Sequence, residues 1–134
     1  MRTDTQTIFI ETSYRDAFPF IAAPENLPRW AAGFAREIRP QGQGWLVTTP
    51  QGEIEMRYQT DSSSGIIDYH MKPAAGTEVI AHSRVIPIGE GVLYVFTQAQ
   101  PLGMPDQVFD GQVRTLAREL RLLKSLLEVG RCGQ

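Results

Sequence analysis

Among the side chains able to move a proton or hold an anion, Asp68, His82 and Arg84 come closest to forming a set. An aspartate beside a histidine is what a general base and its orienting partner require, because the carboxylate holds the imidazole in one tautomer. Arg84 would add a fixed positive charge facing an anionic group. These three are the weak catalytic candidates: no nucleophile is placed with them, and a cross-strand surface pair is the plainer reading of Asp68 and His82. His70, the other of the two histidines, is expected to be exposed and inert. The hydroxyls of Tyr58 and Tyr69 could orient a bound molecule or pass it a proton. Two histidines without clustered carboxylates or thiols make no metal site, and neither a phosphate-cradling glycine loop nor a G-x-S-x-G elbow occurs. No metal and no cofactor are therefore expected. Cys132 is the single cysteine, so an internal disulfide is excluded and a free tail thiol is expected.

Whether those groups meet depends on the strands that carry them. QTIFIET (6–12) suits a strand, and Ser13 with Asp16 opens a helix over Tyr14, Ala17, Phe18 and Ile21, shortened or kinked by Pro19. Pro24 starts one further turn, with Pro28 disfavouring helical geometry at Leu27, and 34–39 reads as a strand. In GWLVTTPQGEIEMRYQT a two-residue turn at Gln51 and Gly52 sets Thr49 against Ile54, Val47 against Met56 and Trp45 against Tyr58. All six share an apolar face, with charged residues on the other. IIDYHMK, EVIAHSRVIPI and GVLYVFTQAQ continue as a meander.

Two frames fit those last three strands. A five-residue connection from Pro73 to Thr77 and a two-residue turn at Gly89 and Glu90 put Tyr69 opposite Ala81, Ser83 opposite Ile67 and Phe96, and Val85 opposite Tyr94. Asp68, His82 and Arg84 then lie outside. A slip of one residue would turn His82, Arg84 and Thr97 inward as a polar floor. Burial of the aromatic bulk favours the first frame. In it Ile80, Ile86, Leu93 and Val95 form an outer apolar patch, a candidate homodimer interface.

Pro105 opens a long helix that Gly130 should stop. Phe109, Val113, Leu116, Leu120, Leu123 and Leu127 make its buried stripe, and Arg114, Arg118 and Arg121 its solvated face. The 134 residues read as one domain, 1–134, with 42% hydrophobic and 21% charged residues. A net charge of −2 provides no field for nucleic acid. The start MRTDTQTIF has no secretory pattern, and no apolar run approaches the roughly eighteen residues of a spanning helix, so a cytoplasmic protein is expected.

The element order, the N-L-P-x-W pattern in PENLPRW (24–30) and the ending FTQAQPLGMPDQVFDGQVRTLARELRLLKSLLE resemble the SRPBCC superfamily, also called START-like or helix-grip. The likeness is to its polyketide cyclase/dehydrase branch. It implies an α+β fold, with a curved antiparallel sheet of about seven strands wrapped around the last helix and a cavity between them. It implies binding or transport of a small hydrophobic molecule, aromatic or polyketide-like. Trp30 would sit at the rim, with Trp45, Met56, Tyr58, Tyr69, Met71, Ser83, Phe96, Phe109 and Val113 lining the space. Trp30 reads equally well as core packing. An aromatase/cyclase-like enzyme, or an interaction module with a filled core, are the alternatives.

Overall fold

The computed structural model describes residues 1–73 and 76–132, with side chains up to Val129 on the last helix. Cys132's thiol therefore lies outside the described side chains, and Ala74 and Ala75 outside the described residues. Strand β1 (Thr3–Ile10) alternates exposed residues, three threonines and Phe9, with half-buried ones and ends on the fully buried Ile10. Ser13 then caps α1 (Tyr14–Ala22), its Oγ accepting the Asp16 amide at 3.1 Å, and Ala17, Phe18 and Ile21 are buried. A 3₁₀ turn (Pro24–Asn26) leads into the single turn α2 (Leu27–Trp30). Leu27 is helical (φ −55°, ψ −46°), against the expectation drawn from Pro28. Pro28 stands in the first turn, where its missing N–H would have no partner in any case.

Six strands follow: β2 (Glu37–Gln41), β3 (Gly44–Thr49), β4 (Gly52–Asp61), β5 (Ile66–Pro73), β6 (Val79–Ile88) and β7 (Gly91–Ala99). β2 begins later than expected because the amides of Phe34 and Ala35 both bond the Ala31 carbonyl, closing a turn where a strand start was read. The β3–β4 register also differs. Trp45 faces Met56, Val47 faces Ile54, and the turn residues are Pro50 and Gln51. The Thr49 hydroxyl explains the earlier turn: it accepts the Gln51 amide at 3.2 Å and donates to the Gly52 carbonyl at 2.7 Å. A shift of two residues leaves every side chain on its expected face.

From β5 onward the first frame holds. Tyr69 faces Ala81, Ser83 faces Ile67 and Phe96, and Val85 faces Tyr94. The seven strands form one antiparallel sheet in the order β1-β7-β6-β5-β4-β3-β2. Helix α3 (Asp106–Cys132) runs two residues past the expected stop at Gly130, since one glycine costs a helix only about 1 kcal/mol. At about 1.5 Å per residue it is about 40 Å long. Phe109, Leu116, Leu120 and Leu123 are buried on it, while Arg114, Arg118 and Arg121 are exposed.

The free edge of β1 is covered by α3. Gln6 donates to the Val113 carbonyl, Lys124 to the Phe9 carbonyl, and Glu128 accepts the Glu11 amide at 2.8 Å. A strand edge that could template another chain is thereby closed. Among the described residues no helix is long and apolar enough to cross a membrane.

Candidate functional site

Alternation places the even residues of β4 and the odd residues of β5 and β6 on the concave face, and the resulting cross-strand pairs build an aromatic row. Tyr58 of β4 stands edge-on to Tyr69 of β5, ring centres 5.0 Å apart at 77°. Tyr69 leans on Phe96 of β7 at 5.7 Å, Phe96 meets Tyr94 at 6.3 Å, and Tyr94 receives the edge of Trp30 from α2 at 6.3 Å and 87°. Edge-on contacts of this kind are the favoured aromatic geometry.

A hydroxyl chain runs through this row. Tyr94 donates to Ser83 Oγ at 2.9 Å, and Ser83 donates to the Ile67 carbonyl at 2.5 Å. The Tyr94 hydrogen being spent, the 2.8 Å contact between the Tyr69 and Tyr94 hydroxyls has Tyr69 as donor. Two buried polar atoms stand outside the chain: Trp30 Nε1 and the Tyr58 hydroxyl have no hydrogen-bond partner among the described residues. Burial pushes the Tyr69 hydroxyl up to about 12 and, with Tyr69 and Glu25 adding to it, the Tyr58 hydroxyl higher still. Near neutral pH both are phenols, able to donate a hydrogen bond but not to act as bases.

The expected lining residues divide into two groups. Met56, Tyr69 and Trp30 belong to the main buried cluster, with Tyr58, Met71 and Phe96 half-buried against it and Ser83 bonded within the row. Trp30 is 2% exposed, inside the core. Trp45 is half-buried, paired with Met56 and Pro40 near the β2 edge. Phe109 is buried apart from that cluster, under the Arg2 guanidinium at 5.1 Å, and Val113 lies beside Gln6 of β1. The structure thus gathers Trp30, Met56, Tyr58, Tyr69, Met71, Ser83 and Phe96, and leaves Trp45, Phe109 and Val113 at the margins.

Asp68, His82 and Arg84 are on the outer face. His82 Nδ1 lies 3.1 Å from Asp68 Oδ1, and Arg84 Nε donates to the Ser64 carbonyl. With Ile66, Val95 and Thr97 they border an open hollow of about 290 Å³. Among the described residues no hydroxyl is hydrogen-bonded to His82, so an oriented imidazole is present without a nucleophile. His70 departs from expectation: its side chain is only 14% exposed, held between Glu78 at 2.8 Å and Gln59 at 2.9 Å. It borders a second hollow, about 350 Å³, with Glu55, Arg57, Lys72 and Glu78, and Trp45 and Met56 also contribute to its wall. Neither hollow has α3 in its walls. Among the described residues no three or more His, Cys, Asp or Glu side chains group to hold a metal.

Glu119 is a buried carboxylate that the sequence reading passed over. It sits on α3 at 8% exposure and accepts the Phe34 amide at 2.9 Å, bracing the segment between α2 and β2. Gly33 lets this segment approach α3 closely: a Cβ there would lie 2.7 Å from Thr115 Cγ2. Burial raises the Glu119 carboxyl to about 7, against the pull of the Phe34 and Gly33 amides and of Arg118. Its spacing was a usable signal, three residues after Leu116 and four before Leu123 on the buried stripe.

Among solved structures the fold of this chain has counterparts. A START superfamily protein from Mycobacterium smegmatis superposes with a TM-score of 0.67 at 14% identity, over 94% of this chain and 97% of that one. The fold is helix-grip. A helix-grip match of TM-score 0.77, at 14% identity and covering 97% and 98% of the two chains, is the Aha1 dimer from Colwellia psychrerythraea. XoxI from Bacillus cereus gives 0.75 at 17% identity, covering 95% and 96%. No family model and no curated protein matches the chain.

Proposed function

We propose that this helix-grip protein is a cytosolic binding protein that takes a small hydrophobic molecule against the concave face of its sheet, between β4, β5, β7 and α3. One observation carries the reading: Tyr58 and Trp30 bring polar hydrogens into the interior and leave them without a protein acceptor. A buried donor in that state costs about 1–3 kcal/mol, and the chain satisfies its other buried hydroxyls with care. A guest repays the cost; a core made only of protein does not. The half-buried Tyr58, Met71 and Phe96 form the approach, and methionine suits a wall that must adapt. A START superfamily protein among the structural neighbours is in keeping with this. A polyketide-cyclase activity has less support, because the interior tyrosines stay protonated and Asp68, His82 and Arg84 face outward. Native mass spectrometry of protein purified from its own host tests the proposal. A retained small molecule is expected, and a bare mass under conditions that preserve weak complexes would count against it.

A second reading has its own support. The interlocked rings fill much of the concave face, while on the outer sheet Ile86 pairs with Leu93 beside Val95, and Ile80, 37% exposed, stands farther along β6 beyond Arg84 and His82. In this reading a second copy of the chain covers that patch, as a dimer was solved for the Colwellia neighbour. Light scattering should then give twice the chain mass, and Ile80→Glu should halve it. A single-chain mass at high concentration removes the reading.

A further inference from the structure

Resting on the concave-face reading, we infer that the guest is an uncharged, largely apolar molecule carrying a carbonyl-type oxygen, which accepts the Tyr58 hydroxyl hydrogen.

The argument starts from which hydrogens are spent. The Tyr69, Tyr94 and Ser83 hydroxyls donate in sequence and end on the Ile67 carbonyl, so none remains for a guest. Tyr58 and Trp30, at the two ends of the aromatic row, are what is left over. An indole N–H can only donate, and a buried phenol meets an acceptor more readily than it becomes one for want of a partner's hydrogen. The complementary group is therefore an acceptor oxygen.

Charge is excluded from both sides. The buried polar residues among those described are Thr12, Thr49, Ser83 and Glu119, none of them cationic, so a carboxylate or phosphate would enter without a counter-charge. Glu25 lies near enough to act on the Tyr58 hydroxyl and adds negative potential there. A cationic guest without an acceptor would leave the Tyr58 hydrogen unpaired. Ketones, quinones, esters and lactones on an aromatic or aliphatic body remain, and the rings of Tyr58, Tyr69 and Phe96 can pack against either body.

Three probes of one shape test this: 2-acetylnaphthalene, 2-isopropenylnaphthalene, in which a methylene replaces the oxygen, and 2-naphthoate. Calorimetric titration of the full chain should rank the ketone first and the anion last. In Tyr58→Phe the ratio of ketone to hydrocarbon affinity should fall about tenfold, with hydrocarbon affinity unchanged. The carbonyl stretch of the bound ketone in the unaltered protein should lie below its value in hexane, a readout needing no variant. An unaltered ratio in Tyr58→Phe, or a carbonyl stretch as in hexane, overturns the inference while leaving the binding surface standing. Failure of all three probes to bind would overturn the concave-face reading with it.

Discussion

A phenol buried without a partner and a carboxylate buried with two amides load the interior in opposite ways, and each makes a measurable prediction. Removing the Tyr58 oxygen removes an unpaired polar atom and little volume, so Tyr58→Phe should raise the stability of the guest-free protein by about 1 kcal/mol in urea unfolding. A loss of that size would show that the hydroxyl is paired in solution. Glu119 acts through pH. Its folded value of about 7 lies above the ordinary 4.5, so the fold holds this proton more tightly than the unfolded chain does. Its contribution is greatest below pH 4.5, declines as pH rises through 7, and is level above, a fall of about 3 kcal/mol. Asp61, Glu78 and Asp106 are held below their ordinary values and act in the opposite sense, so the comparison must be with Glu119→Gln. The difference in stability between the two proteins should change by roughly that amount between pH 4 and pH 8. A constant difference would mean the carboxylate titrates as if in water.

At the scale of elements, turn chemistry carries the strain. Gly65, just before β5, has φ +82°, and a Cβ there would stand 2.1 Å from the Val85 carbonyl oxygen, while its own carbonyl accepts the Val85 amide. Gly65→Ala should therefore cost about 2–4 kcal/mol, well above an ordinary surface change, by thermal or urea unfolding. What could be read from the sequence follows from the same physics. The frame of β5 to β7 was legible because a slip of one residue would have exchanged Ser83, Val85, Tyr94 and Phe96 for His82, Arg84 and Thr97 on the buried side. The β3–β4 register was not, because a shift of two residues keeps Trp45, Val47 and Met56 facing inward and only the Thr49 hydroxyl distinguishes the turns. Alternation also says nothing of depth. It put Phe109 and Val113 on the inner stripe of α3, but not under Arg2 and beside β1, away from Tyr58.

For the whole molecule, the sheet order and not any single contact explains why the site residues come from distant parts of the chain. Trp30, Tyr58, Tyr69 and Phe96 span much of the sequence, and they meet only because the meander curls and the last helix lies against β1. Trp30→Ala separates the two roles of that residue. It should destabilise by about 3–5 kcal/mol as a large core truncation. If Trp30 also holds the guest, affinity for 2-acetylnaphthalene should fall in the fraction that remains folded, and unchanged affinity there would leave it purely structural.

The pairing of β1 with β7 has a further consequence, in time. Thr3 lies opposite Ala99, so β1, made before the other six strands of the sheet, has no sheet neighbour until β7 has been made. Contacts that distant in sequence slow folding, and here they also set its order: the hairpins from β2 to β7 can form as they emerge, whereas the opening strand must wait. A nascent chain stalled before Gly91 should accordingly leave residues 3–10 open to protease while the central strands are already protected.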